Sequence, residues 1–311
     1  MKRFTLAFCF LVLAVFTAAY YAFPNLFKEP LLQLNRQLSG VSEKTRLVGV
    51  HNVHYLNGGS GEPVILLHGI FAEKDHWVDF ARQLTGSYRV ITPDLPGFGE
   101  SGRRADLAYG YAQQTQHLKD FMDALGIHKA HLAGNSMGGT IAALFALRYP
   151  ERVASVAFIG APHGLRTPKP SEMDALIDAG KSPLVAHNAA QFKQMMSLVF
   201  TKQPFLPYPI LHAAQADALR LAASNERLWN DQLKDRHLLH ERIGELRTPI
   251  LALWGGDDRL FDVSGIQVLN ARLKSPQVQV LNGIGHLPMM EAPKETSLIY
   301  VGFLKSLPVQ R

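Results

Sequence analysis

A serine hydroxyl is a weak nucleophile at neutral pH, and Ser136 stands in Gly134-Asn135-Ser136-Met137-Gly138, with glycines two residues before and two after it. This pentapeptide follows the apolar run 129–133 and opens a helical pattern that continues to residue 148. A sharp strand-to-helix turn of that kind strains the serine backbone and exposes its hydroxyl, while the glycines let strand and helix approach closely. Such a hydroxyl attacks only when a neighbouring base takes its proton, and the base must be held in the right tautomer by an acid. Both lie downstream. The apolar run 250–254 leads into Gly255-Gly256-Asp257-Asp258, and the run 278–281 leads into Asn282-Gly283-Ile284-Gly285-His286. Each candidate therefore sits beyond the carboxyl end of a strand, where sites form in open α/β sheets. The competing reading is a glycine-rich turn with a solvated serine, and the strand–turn–helix setting argues against it.

Of the 13 histidines, His286 is set apart by Gly283 and Gly285, which allow a tight loop that turns the imidazole inward. The acid is less sharply defined. Asp257 and Asp258 are adjacent and only one can point at His286; motif position selects Asp258, with Asp262 a weaker third choice. The loop His68-Gly69-Ile70-Phe71 follows the apolar run 63–67, the place from which a second oxyanion donor comes. The expected donors are the backbone N–H groups of Ile70 and Met137. Loss of one such donor typically costs about 3 kcal/mol of transition-state stabilisation. His68 is expected to be a structural residue of its loop, and the turn Asp94-Leu95-Pro96-Gly97-Phe98-Gly99-Glu100-Ser101 to be scaffolding at the site edge.

The elements that must position these residues alternate along the chain. Apolar runs at 63–67, 88–92, 130–133, 153–159, 250–254 and 278–281 read as strands buried on both faces, and 111–125 and 137–148 read as helices between them. This is the pattern of an α/β fold with a mostly parallel central sheet flanked by helices. The alternation stops over 165–245, a proline-punctuated stretch with helical pieces at 189–200 and 211–235, too long for a simple connection. The expected organisation is an α/β core at 47–164 and 246–311 with a helical lid at 165–245 inserted in it.

The amino terminus is of another kind. Residues 4–27 carry no charge, and about 20 residues at ~1.5 Å each give the ~30 Å of a bilayer core. A cleavable signal peptide is the alternative, because Thr17-Ala18-Ala19 is a passable small-residue site. The apolar run continues through Tyr20, Tyr21 and Phe23, an aromatic girdle that favours a retained transmembrane helix over 1–24. Lys2 and Arg3 before the span place the amino terminus in the cytoplasm and the rest of the chain across the membrane, in the periplasm of a Gram-negative cell. Leu26, Phe27, Leu31, Leu34 and Leu38 then recur at helical spacing among Lys28, Gln33, Arg36 and Gln37, predicting an amphipathic juxtamembrane helix over 25–46. Its apolar stripe is free to lie on the bilayer, pair with a second copy or pack on the domain, the last being the commonest outcome.

Composition narrows the classes. With 311 residues, 47% of them hydrophobic, the chain is long enough for a large core and too apolar for disorder. The net charge of +6 comes from basic residues scattered singly or in pairs, which argues against a nucleic-acid partner. The single cysteine, Cys9, excludes an internal disulfide and a cysteine-based zinc site.

Taken together, His68-Gly69, the turn at 94–101, the pentapeptide at 134–138, Trp254-Gly255 with Asp258, and Gly285-His286 followed by Pro288 and Glu291 resemble the α/β-hydrolase superfamily over residues 48–307. A serine at position 136 sets the chain apart from branches that use an aspartate nucleophile. The anchor, the segment Phe71-Ala72-Glu73-Lys74-Asp75-His76-Trp77 and Phe205-Leu206-Pro207 look like the membrane-bound bacterial lipases, monoacylglycerol lipases and phospholipases A. That resemblance implies cleavage of acyl esters of lipids at a bilayer, with no cofactor or metal, access controlled by the lid, and homodimerisation through the N-terminal helix as one arrangement. Hydrolysis of small soluble esters or carbon–carbon bonds is the rival activity, and a non-catalytic lipid-binding protein the rival class.

Overall fold

The structure, a computed structural model, describes residues 2–308. Helix α1 (Lys2–Ala22) is long and apolar enough to cross a membrane, and none of its apolar stretch is buried against the protein. The side chains of Lys2 and Arg3, on which the expected orientation rests, lie outside the described residues. The chain bends at Phe23-Pro24 into α2 (Asn25–Leu38). An aromatic cluster fixes the corner: Phe16 and Tyr20 of α1 meet Phe27 of α2 at ring distances of 5.3 and 5.4 Å.

Two expectations about α2 need correction. It ends at Leu38, not near residue 46, because Gly40 takes a left-handed conformation (φ +69°) that stops the helix and turns the chain into a strand. Its leucine stripe also does not pack on the domain. Leu26, Leu34 and Leu38 are exposed, whereas Leu32 and Arg36 are the buried residues.

Strands β1 (Val41–Val48) and β2 (His51–Gly58) form an antiparallel hairpin that lies outside the apolar runs expected as strands, since β1 exposes a polar middle. Six further strands follow: β3 (Pro63–Leu67), β4 (Arg89–Pro93), β5 (Ala130–Ser136), β6 (Val153–Pro162), β7 (Ile250–Gly255) and β8 (Gln277–Leu281). They complete an eight-stranded sheet in the order β1-β2-β4-β3-β5-β6-β7-β8, parallel from β4 to β8. Strand β8 is an edge strand with Gln277, Gln279 and Val280 exposed, so it is not buried on both faces as expected.

Successive residues of a strand face opposite sides, and β3 shows what each side holds. Ile65 and Leu67 join the core under α4 (Tyr111–Ala124) and α5 (Met137–Arg148). Val64 and Leu66 join the core formed with α3 (Val78–Ala81), α12 (Pro288–Glu291) and α13 (Pro293–Ser306), where Trp77, Phe80 and Tyr300 are fully buried. Full burial of an apolar side chain such as Phe80 contributes about 1.5–3 kcal/mol relative to exposure. Between β6 and β7 the described residues hold α6 (Glu172–Asp178), α7 (Ala189–Val199), α8 (Tyr208–Arg220), α9 (Ala222–Lys234) and α10 (Leu238–Arg242) and no strand. The helix expected over 211–235 is two helices that meet at Leu221. Helix α11 (Gly265–Arg272) links β7 to β8.

Candidate active site

Ser136 ends β5 and caps α5 with φ +50° and ψ −117°, a conformation that side chains rarely adopt. The close approach that forces it is visible at the flanking glycines. A Cβ on Gly134 would come within 2.5 Å of the Gly138 and Gly139 backbone, and one on Gly138 within 2.1 Å of the Leu67 carbonyl oxygen. Strand, turn and helix therefore close only with glycine at both positions. The turn is held by the His163 N–H, which donates to the Ser136 carbonyl at 3.1 Å.

The structure places Asp258, not Asp257, on His286: His286 Nδ1 and Asp258 Oδ2 are 2.8 Å apart. The Asp258 side chain is fully buried, and its other oxygen accepts the Leu260 and Phe261 N–H groups at 2.8 and 3.0 Å. Asp257 is exposed, and the Asp262 carboxylate accepts only the nearby Ser264 N–H, at 2.9 Å. Three satisfied hydrogen bonds and burial hold the Asp258 carboxylate in one orientation, and through it one ring nitrogen of His286. The Phe261 ring lies 5.3 Å from the imidazole, tilted against it.

Asn135, which no sequence signal singled out beyond its place in the pentapeptide, ties these parts together. Its Nδ2 donates to the carbonyls of Ile159 and His286 at 2.8 and 2.9 Å, so the residue beside the serine holds the backbone of the histidine. Glu291 does the same from outside. Its carboxylate accepts N–H groups from Gly285 (3.0 Å), Thr201 (3.1 Å) and Lys202 (2.8 Å), while the His286 N–H donates to Val199 at 3.2 Å. The loop bearing His286 is thus clipped to the end of α7.

The loop after β3 lies against the serine, since a Cβ on Gly69 would come to 3.3 Å from Ser136 Cβ. Ile70 follows in that loop, and Met137 opens α5, where the first amides of a helix have no intrahelical acceptor. His68 is structural as expected: it is buried, Nε2 accepts the Leu95 N–H at 3.0 Å, and Nδ1 therefore donates to the Gly69 carbonyl at 2.7 Å. Burial lowers its pKa and keeps it neutral. Asp94 is scaffolding too, accepting Lys74 and Glu100 N–H groups at 2.7 and 2.9 Å.

His163 is a second imidazole near the site. Tyr111 Oη meets its Nδ1 at 2.7 Å, and desolvation lowers its pKa to about 4, which leaves it uncharged at neutral pH. With Phe261 it borders a small cavity that reaches Trp229 of α9 and His237. An open cavity of about 670 Å³ lies between Met196, Ser197 and Phe200 of the α7 end and the loop of Asp257, Asp258 and Arg259.

Known proteins share this architecture. The sequence pattern of the family described as "alpha/beta hydrolase fold" matches residues 62–203. The chain is similar to a crystal structure of a bacterial membrane phospholipase A, with 37% identity, 98% of each chain covered and a TM-score of 0.88. It is similar to Lipase 1 of Psychrobacter immobilis, with 29% identity over 91% of this chain and 90% of that protein. A monoacylglycerol lipase of Xenopus laevis is likewise 29% identical, over 80% of this chain and 77% of its own.

Proposed function

Because the chain belongs to the α/β-hydrolase family, we propose that it is a serine hydrolase that cleaves acyl esters of lipids at a membrane, with Ser136 as nucleophile, His286 as base and Asp258 as the acid that orients it. It is a carboxylic ester hydrolase. The observations that support the residue roles are the 2.8 Å contact of His286 Nδ1 with a fully buried Asp258 and the strained turn that carries Ser136.

In this reading Ser136 Oγ attacks the ester carbonyl as His286 takes its proton, and Asp258 stabilises the imidazolium without itself accepting the proton. The Ile70 and Met137 amides hold the oxyanion. His286 passes the proton to the departing alcohol, then activates a water that releases the fatty acid and restores the serine. A lipid substrate is supported by the relatives, which include lipases and a membrane phospholipase A, and by the bare apolar surface of α1. With α1 in the inner membrane of a Gram-negative cell, the α/β body and the lid, residues 165–245, face the periplasm, and the exposed apolar surface of α1 offers a contact for a second copy.

Ser136→Ala is expected to reduce hydrolysis of a monoacylglycerol, a phospholipid and a p-nitrophenyl ester to background and to abolish labelling by a fluorophosphonate. Hydrolysis retained in that variant overturns the assignment.

A further inference from the structure

Arg36 is 4% exposed, an uncommon place for a guanidinium, and it stands on the helix that leads out of α1. Its Nε and Nη2 donate to the two carboxylate oxygens of Asp75, both at 2.7 Å, and its Nη1 donates to Glu43 at 2.7 Å and Glu29 at 3.1 Å. The two-pronged contact fixes direction as well as distance. Asp75 lies in the short 3-10 helix Lys74–Trp77 that directly follows the loop carrying Ile70. Its neighbour Lys74 is also buried, with its N–H on Asp94 at 2.7 Å and its ammonium on Asp94 at 3.0 Å and on Glu100.

The loop is therefore held at three places: by His68 at its start, by Asp94 from the core, and by Arg36 from the membrane side. Between these points Phe71, the residue after Ile70, has φ +58°, a left-handed conformation that a side chain with a Cβ avoids. The Ala72 N–H donates to the Gly69 carbonyl at 3.3 Å and closes a turn around Ile70 and Phe71. A residue in that region stays there only while its surroundings over-determine it.

We propose that Arg36 is a positioning residue for the hydrolysis: by gripping Asp75 it keeps the turn at residues 69–72 in its strained form and so aims the Ile70 amide at the oxyanion. The segment that leaves the membrane is then a part of the catalytic apparatus and not only its tether. The inference rests on Ile70 serving as an oxyanion donor in a serine hydrolase.

The test uses the full chain in detergent or vesicles. Arg36→Lys keeps a positive charge among Asp75, Glu43 and Glu29 but cannot make the two-pronged contact, and Asp75→Asn weakens it from the other side. Active sites are titrated to the end point with a fluorophosphonate, and kcat per titrated site and KM are measured on a p-nitrophenyl ester. Each variant is expected to lose about tenfold or more in kcat per site with KM within about twofold, and the double variant to be no worse than the poorer single one. A purely structural role would reduce the number of titratable sites and leave kcat per site unchanged, and that result overturns the proposal. Failure of the wild type to take the fluorophosphonate, or activity surviving in Ser136→Ala, would instead sink the serine-hydrolase reading beneath it.

Discussion

Two neighbouring aspartates with the same chemistry have opposite surroundings. Asp258 is buried on His286, and Asp257 points to solvent, its carbonyl accepting the Thr201 hydroxyl at 3.2 Å. An amide at position 258 would favour the wrong imidazole tautomer. Asp258→Asn is accordingly expected to lower kcat by roughly 10³–10⁴-fold, and Asp257→Asn to leave it within about twofold; steady-state kinetics on titrated enzyme separates the two, and a larger loss at 257 would reverse the order. Ser136 and His286 were legible in the sequence because glycine spacing and strand ends mark them. Asp258 was legible only as one of a pair, since adjacent residues differ in direction and not in pattern. Asn135 acts through the carbonyls of Ile159 and His286, and Glu291 joins the nearby Gly285 N–H to those of Thr201 and Lys202 far earlier in the chain; nothing in local spacing reports the distant partners.

At the scale of elements, α2 was the least legible part. Its periodic leucines suggested the packed face, yet the buried face holds Arg36 because three carboxylates from three segments converge on it. A partner set assembled by the fold overrides the periodicity of one helix. The same neighbourhood contains Glu73, whose pKa desolvation raises to about 7, with Asp75 and Asp94 adding to the rise and Lys28 and Lys74 opposing it. A carboxyl whose folded pKa lies above its unfolded value binds more protons when folded. Its contribution is present below about pH 4.5 and is lost as pH rises through about 7. Glu73→Gln should therefore leave stability at pH 4.5 nearly unchanged and raise it at pH 8 by on the order of 2 kcal/mol. Denaturant unfolding at the two pH values checks this, and equal effects at both would refute it.

For the molecule as a whole, strands β3 to β7 of the sheet were readable because strands buried on both faces are continuous apolar runs. The β1–β2 hairpin was not, because a half-exposed antiparallel strand with Glu43, Lys44 and Arg46 in it resembles a helix surface as much as a strand. The boundary between tether and body can be measured. Deleting residues 1–22 removes a helix with nothing buried, so the remainder is expected to leave the membrane fraction with Tm within about 3 °C of the full chain. Deleting residues 1–38 also removes Leu32 and Arg36 and is expected to lower Tm by more than about 5 °C, as thermal unfolding in detergent would show.

The bend at Phe23-Pro24, locked by Phe16, Tyr20 and Phe27, has a kinetic meaning as well. With α1 in a bilayer, the enzyme does not search a volume. Its encounters with substrate are lateral collisions within one plane, and turnover answers to the mole fraction of substrate in that plane, not to how many vesicles share the flask.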